Sequence, residues 1–161
     1  MREILAKVAT PPMLIFPDWD AVSDGSRPFH VCCDACIDGF GAALEQDQPD
    51  GSVRLIAYIS GATLDYERHW TPLDLEAGSI VRAIKRLRGY LLGTKFRIFA
   101  DHKAFESIGN VGNHNARVHR WLEFLTAFDY TLEYSQGQRQ WKCRFPVPLA
   151  KAFHRTRPQW I

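Results

Sequence analysis

Disulfide frameworks, membrane spans and secretory signals are all missing from this sequence. Only four cysteines occur in 161 residues, and Cys32, Cys33 and Cys36 lie close together, which is too few and too clustered for a disulfide-stapled secreted domain. No run of about 18 apolar residues exists to span a membrane. Residues 1–10 also lack the apolar stretch and small-residue cleavage site of a secretory signal. We therefore expect reduced thiols, an intracellular protein and no membrane contact.

Acidic residues are absent from the end of the chain. No Asp or Glu follows Glu133, and the net charge of +2 hides a division between the two halves. Residues 1–81 contain 5 Lys and Arg against 13 Asp and Glu, whereas residues 82–161 contain 15 against 5. A protein that holds cations with one set of residues and an anionic polymer with another shows such a division. Charges that merely sort onto solvated faces produce it too, so both interpretations stay open.

The apolar residues that are present predict one α/β domain. A hydrophobic content of 46% in 161 residues is enough for a single core. The strand and helix patterns come in the order of three strands, a helix, a fourth strand, a second helix and a fifth strand. A strand, helix and strand in succession imply a right-handed parallel crossover. The predicted strands are 29–33, 40–44, 52–59, 95–100 and 130–134.

The long helix is the most strongly specified element. Thr71 supplies an N-cap hydroxyl, Pro72 fits the first helical position, and Gly93 supplies the stop. Apolar residues recur at spacings of three and four from Ile80 onwards, which predicts a core-facing stripe. One turn before Ile80, the same stripe contains Glu76. A carboxylate at such a position is unusual, because an unpaired buried charge is costly.

Three carboxylates occupy comparable places. Asp34 is predicted at the end of the first strand, Glu76 on the inner face of the helix, and Asp101 at the end of the fourth strand. If the first and fourth strands are neighbours, the three side chains converge, and their mutual repulsion requires a cation between them. Oxygen-only ligands select Mg²⁺ or Mn²⁺. Solvated acids at strand ends are the alternative, and spacing alone does not separate the two.

A family resemblance favours the metal site. Residues 28–134 resemble the RNase H domain of gypsy-type LTR retrotransposon reverse transcriptases, with the motifs in the same order along the chain. The motifs that carry the resemblance are Cys33-Asp34-Ala35-Cys36 with Gly39-Phe40-Gly41-Ala42, Leu55-Ile56-Ala57-Tyr58-Ile59-Ser60, Leu75-Glu76-Ala77-Gly78, Ala100-Asp101-His102-Lys103-Ala104, Arg120-Trp121 and Phe128-Asp129-Tyr130-Thr131.

The resemblance implies an RNase H-like fold, a five-stranded mixed sheet with helices packed across it. It implies endonucleolytic hydrolysis of RNA in RNA–DNA hybrids, with two Mg²⁺ or Mn²⁺ ions as cofactors. Its partners would be the hybrid and a reverse transcriptase polymerase domain in the same polyprotein, in a cytoplasmic particle or the nucleus. Asp34, Glu76 and Asp101 would be the catalytic residues and metal ligands. We take His102, Lys103 and Arg120 as candidate nucleic-acid contacts, although a solvated turn fits His102 and Lys103 equally well.

The sequence departs from the family pattern after Gly137. Where that family has a fourth acidic ligand, this chain has Arg144, and no acid lies nearby. An arginine at that position repels a metal ion. The alternative function is therefore an inactive RNase H-like module that binds nucleic acid or a polymerase partner. No polymerase motif is found in this chain.

Three segments are predicted. We expect residues 1–27 to be a linker from an upstream reverse transcriptase region, because prolines and a Ser-Asp-Gly-Ser turn dominate it. Residues 28–137 form the RNase H-like domain. Residues 138–161 are predicted to be a disordered basic tail, although aromatic residues interleaved with Lys and Arg also suit nucleic-acid binding.

Overall fold

The fold is built on a five-stranded mixed sheet. The computed structural model describes residues 14–100 and 116–134. Within them the strand order is β3-β2-β1-β4-β5. β1 pairs antiparallel with β2, and β2 with β3, whereas β4 is parallel to both β1 and β5. The predicted mixed sheet, with the first and fourth strands as neighbours, is confirmed. The strands are β1 Phe29–Cys36, β2 Gly39–Asp47, β3 Val53–Ala62, β4 Lys95–Ala100 and β5 Asp129–Tyr134.

Four helices accompany the sheet in the described part of the chain. The predicted helix from Thr71 to Leu92 is divided at Leu87, whose φ of −92° and ψ of 7° interrupt the helical run. None of the helices between residues 14 and 100 or 116 and 134 is long and apolar enough to cross a membrane. The helices are α1 Trp19–Ser23, α2 Pro72–Arg86, α3 Arg88–Leu91 and α4 Ala116–Leu125, and a short 3-10 helix covers Glu67–His69.

Local sequence explains where α2 begins and which face it buries. The Thr71 hydroxyl accepts a hydrogen bond from the Asp74 backbone N–H at 3.1 Å, and Pro72 occupies the first turn, as the sequence predicts. The inner face of α2 packs on β1 and β2. The main core lies between these elements, and its largest fully buried side chains include Phe29, Val31, Leu44, Ile80, Ile84, Leu87, Leu91, Phe96 and Ile98.

Two of the three cysteines of β1, Cys32 and Cys33, are buried, and Cys36 is half-buried. Cys33 belongs to the main core, whereas Cys32 lies with Ala43 and Phe99 in a smaller cluster. Within residues 14–100 and 116–134, none of Cys32, Cys33 and Cys36 forms a disulfide.

Residues 14–27 differ from the expected linker. The Ile15 backbone N–H donates to the Leu55 carbonyl at 2.9 Å, so the segment adds a short parallel bridge to β3. The fully buried Gln46 side chain accepts from the Asp18 N–H at 2.9 Å and donates to the Asp18 and Arg27 carbonyls at 3.0 Å each. These bonds satisfy the Gln46 amide. The prolines correctly indicate that this segment contains no long strand. The hydrogen bonds of Ile15 and Gln46 nevertheless attach it to the sheet.

α1 fixes this segment against the start of β1. Asp18 caps the helix by accepting from the Ala21 N–H at 3.2 Å and also forms an ion pair with Arg27. The Ala21 bond, followed by the Arg27 bond, lowers the pKa of Asp18 below its ordinary value. The Trp19 ring lies edge-on to Phe29 at 5.4 Å and stacks on Tyr90 at 6.2 Å.

Two glycines at the end of the helical run give opposite predictions. Gly93 has a φ of +79°, whereas Gly89 lies inside α3 with nothing within 4 Å of an added Cβ. Gly93→Ala should lower the free energy of unfolding by about 1 kcal/mol, because a Cβ disfavours the left-handed conformation. Gly89→Ala should raise it by up to about 1 kcal/mol through helix propensity. Urea denaturation of both variants tests this pair. Equal shifts of the same sign would contradict it.

Candidate active site

Asp34 lies inside β1 rather than at its end. β1 extends to Cys36, and Asp34 is paired with Gly41 of β2. The correction has a physical reason: the antiparallel ladder with β2 continues to the β1–β2 turn, whereas the parallel ladder with β4 ends at the pair of Cys32 and Phe99. The Asp34 side chain is exposed. An exposed carboxylate on a paired strand combines a fixed backbone with access to solvent.

Glu76 lies in the second turn of α2, at the border of its buried stripe. The next residue, Ala77, is 2% exposed, and Glu76 itself is half-buried with its Oε2 atom inaccessible to solvent. The Ser79 hydroxyl donates to the Glu76 backbone carbonyl at 2.7 Å. The periodicity predicts Glu76 on the core-facing stripe, and the structure places it at the border of that stripe with one carboxylate oxygen buried.

α2 runs in the direction that places its first turns, and with them Glu76, towards the end of β1 that carries Asp34. At the other end of the helical run, Tyr90 of α3 packs edge-on against Phe29, the first residue of β1, at 6.4 Å. The helices therefore run opposite to β1, and the first turns of α2 lie towards the end of that strand. The Arg82 guanidinium, 4.9 Å from the Phe40 ring centroid, fits this direction, since Phe40 pairs with Ala35.

The remaining predicted ligand follows β4. β4 ends at Ala100, and Asp101 is the next residue in the chain; Asp101, His102 and Lys103 lie outside the described residues. Arg144 lies outside them as well. Residues 14–100 and 116–134 by themselves contain no group of three His, Cys, Asp or Glu side chains that could hold a metal ion. The described candidates are thus the Asp34 and Glu76 carboxylates, which are hard oxygen donors of the kind that suits Mg²⁺ or Mn²⁺.

A buried ion pair supports the loop that leads into α2. Glu67 is 2% exposed and forms an ion pair with Arg82 through Oε1, while its Oε2 accepts from the Leu64 N–H at 2.8 Å. Burial lowers the pKa of the Arg82 guanidinium, and the nearby Tyr66 opposes this shift. The sequence analysis did not identify Glu67. No local pattern shows it, because its partner lies in the middle of the following helix.

Arg117 connects α4 to the first turns of α2. Its guanidinium donates to the Asp74 carboxylate at 2.9 Å and lies 4.1 Å from the Trp70 ring centroid. Trp121 lies 5.5 Å from Trp70, and a Cβ added to Gly78 would approach the Trp70 ring to 3.0 Å. Glu76 is therefore flanked by two positions of α2 that contact this aromatic cluster. The one sequence pattern that indicates it is the spacing of four between Arg117 and Trp121 on α4.

Arg120 is an exposed residue of α4. Its Nε donates to the Ala116 carbonyl at 3.1 Å, and it forms no ion pair with an acid among the described residues.

Comparison with known proteins gives matches over most of the chain. A family model described as an RNase H-like domain found in reverse transcriptase matches residues 24–128. The retrovirus-related Pol polyprotein from transposon opus of Drosophila melanogaster is 32% identical over 115 residues, which are 70% of this chain and 11% of that protein. The corresponding polyprotein from transposon 297 of the same organism is 28% identical over 137 residues, 85% of this chain and 12% of that protein. The chain thus spans about one-tenth of the length of these relatives.

A solved structure shows the same fold. RNase H1 from the halophilic archaeon Halobacterium salinarum matches with a TM-score of 0.52 and 13% sequence identity, over 71% of this chain and 90% of that chain. The predicted RNase H-like fold is confirmed.

Proposed function

Because the chain belongs to the family of RNase H-like domains found in reverse transcriptase, we propose that it is a ribonuclease H that cuts the RNA strand of RNA–DNA hybrids with Mg²⁺ or Mn²⁺. The observation that carries the proposal is the arrangement of α2 on β1. The first turns of the helix, which contain the partly buried Glu76, lie towards the end of the strand where Asp34 is exposed. A partly buried acid and an exposed one, supplied by two elements that pack on each other, would suit a metal site open to substrate.

Each carboxylate has a distinct part in this proposal. Asp34, fixed in a paired strand and exposed, would hold an ion where a phosphodiester can reach it. Glu76, with one oxygen buried, would hold the ion from the protein side and keep its geometry constant. Asp101 would complete the set from the end of β4. When bound, two such ions activate water and stabilise the leaving oxygen of phosphodiester cleavage. Arg120, His102 and Lys103 would contact the phosphate backbone.

The direct test is a cleavage assay. An RNA–DNA hybrid with labelled RNA is incubated with the chain and Mn²⁺, with the same RNA as a single strand for comparison. The proposal expects shortened RNA only from the hybrid. Binding of the hybrid without cleavage would contradict it.

Mn²⁺ is expected to raise the melting temperature, because it binds the assembled carboxylates and not the unfolded chain. At ten times the dissociation constant the gain is about 1.4 kcal/mol, or roughly 3–6 °C for a chain of this size. Differential scanning fluorimetry of the parent, Asp34→Asn and Asp20→Asn measures it. Asp20 is an exposed acid of α1, so its variant should respond as the parent does. If Mn²⁺ leaves the melting temperature of the parent unchanged, the result contradicts a metal site at these carboxylates.

The second candidate function is a nucleic-acid-binding module without activity. Arg144, at the position of the expected fourth acid, favours it. The two candidates differ in the expected effect of Arg144→Asp.

If residue 144 lies beside the carboxylates, this change replaces a repulsive charge with a ligand, and cleavage should increase by up to about tenfold, a gain of about 1.4 kcal/mol. The measurement is the initial rate of RNA cleavage, with Arg139→Asp as the control. An unchanged rate would show that residue 144 does not act at the site.

A further inference from the structure

The turn of α2 that contains Glu76 lies before the part of the helix that the core holds. The buried residues of α2 lie between Ala77 and Ile84, whereas residues 73–76 are half-buried. Terminal turns of a helix open more easily than its middle, because they have fewer packing contacts. A carboxylate in such a turn keeps a constant position only if another contact holds the turn.

Arg117 supplies such a contact from α4. Its guanidinium donates to the Asp74 carboxylate at 2.9 Å, and the two side chains are 31% and 18% exposed. The same guanidinium lies 4.1 Å from the Trp70 ring centroid and 5.5 Å from that of Trp121. A guanidinium can pair with a carboxylate through its N–H groups while its face contacts a ring. We call Trp70, Asp74, Arg117 and Trp121 the Arg117 cluster.

α2 contacts the Arg117 cluster on both sides of Glu76. Asp74, a member of the cluster, precedes Glu76 by two residues. Gly78 follows Glu76 by two, and a Cβ added there would approach the Trp70 ring to 3.0 Å and the Trp121 ring to 3.4 Å. The backbone that carries Glu76 is therefore in contact with the cluster just before and just after this residue.

The place of Arg117 in the chain gives the contact a second effect. Arg117 is the second residue of α4, and α4 is the first described element after the predicted ligand Asp101. One side chain thus joins the helix that carries Glu76 to the element that follows Asp101 in the chain.

We propose that Arg117 is a positioning residue for Glu76, which it acts on by holding the first turns of α2 through Asp74 and Trp70. This inference rests on the proposed function and adds a residue that acts on the metal site through other residues. Groups that orient a metal ligand in this way typically change metal affinity by about 10–100-fold when they are removed.

The sign of the effect distinguishes positioning from charge. Removing a cation near a metal site reduces its repulsion of Mn²⁺, so charge alone predicts tighter Mn²⁺ binding in Arg117→Gln. Positioning predicts weaker binding. A contribution to stability alone predicts a lower melting temperature with an unchanged dissociation constant for Mn²⁺ in the folded protein.

The experiment measures Mn²⁺ binding by the full chain without nucleic acid. The electron paramagnetic resonance signal of free Mn²⁺ is followed at a temperature at which circular dichroism shows each variant to be folded. The test variants are Arg117→Gln and Arg117→Lys. The control is Arg97→Gln, which removes another arginine from an ion pair, the one with Glu133 between β4 and β5.

Arg117→Gln should bind Mn²⁺ at least about tenfold more weakly than the parent. Arg117→Lys keeps the charge and can still pair with Asp74, but it loses the planar contact with Trp70. It should therefore recover part of the loss and bind about threefold more weakly than the parent. Arg97→Gln should stay within about twofold of the parent, since exposed charges are screened by salt.

Equal or tighter Mn²⁺ binding in Arg117→Gln would overturn the inference, and so would an equally large loss in Arg97→Gln. If Arg117→Gln does not fold, Arg117→Lys decides alone. Its net charge is that of the parent, so weaker binding supports positioning and equal binding overturns it.

These outcomes separate the inference from the proposed function. If Mn²⁺ binding depends on Arg117 but the parent never cuts RNA, the inference is supported and the nuclease contradicted. If the parent cuts RNA and the Arg117 variants bind Mn²⁺ as tightly as it does, the nuclease is supported and the inference overturned. A parent chain that binds no Mn²⁺ would contradict both.

Discussion

Asp34→Asn and Glu76→Gln are each expected to slow cleavage of the RNA strand by roughly two to three orders of magnitude. A metal ion in such a site contributes several kcal/mol to the transition state, and every 1.36 kcal/mol corresponds to about a factor of ten in rate. Both substitutions preserve side-chain size and remove the negative charge that holds the ion. Asp101→Asn should have the same effect if that residue completes the site.

The measurement is the single-turnover rate on a labelled hybrid at several Mn²⁺ concentrations. Asp20→Asn is the matched control, because it removes an exposed carboxylate of α1, the helix whose Trp19 contacts the first residue of β1. Unfolding curves verify that all variants are folded. Full activity in Asp34→Asn at low Mn²⁺ would exclude this residue as a ligand.

Glu67→Ala is expected to destabilise the fold by about 3 kcal/mol. The substitution removes a carboxylate that is 2% exposed and leaves the Arg82 guanidinium, 26% exposed, and the Leu64 N–H without it. Breaking a buried ion pair from one side costs about 3–5 kcal/mol, and the partial exposure of Arg82 favours the lower end. Urea denaturation followed by circular dichroism measures the loss.

The control replaces both partners. Glu67→Met/Arg82→Met exchanges the pair for apolar side chains, and this double variant should recover most of the stability lost by Glu67→Ala, because no uncompensated charge stays buried. A double variant as unstable as the single one would show that the Leu64 hydrogen bond, and not the ion pair, is the important interaction of Glu67.

The sequence predicts the sheet and α2 because their signals are local. Alternating and continuous apolar segments mark all five strands, and Thr71, Pro72 and Gly93 mark the helical run by capping chemistry that acts within one turn. The helical period of 3.6 also led to Glu76, which lies at the border of the buried stripe; its role as a metal ligand stays a prediction. Local patterns also suffice for the family resemblance, because each of its motifs is a short continuous segment of the sequence.

Features that depend on distant residues were not predicted. Glu67 forms an ion pair with Arg82 of another element. Residues 14–27 are attached to the sheet through Gln46, near the end of β2. Asp34 was placed at a strand end because its charge interrupts an apolar run, yet the ladder with β2 continues past it. In each case the deciding interaction lies with a partner that sequence spacing does not reveal.

The parallel pairing of β1 with β4 has a consequence for the order of folding. The β1–β2–β3 meander joins residues close in the chain, whereas the central ladder joins Phe29 to Phe96 across all the intervening elements. Closing a long loop costs entropy before its contacts form. During synthesis, the meander leaves the ribosome before β4 is made. One edge of β1, with the unpaired backbone groups of Phe29 to Cys32, therefore stays exposed to aggregation until α2 and β4 have followed.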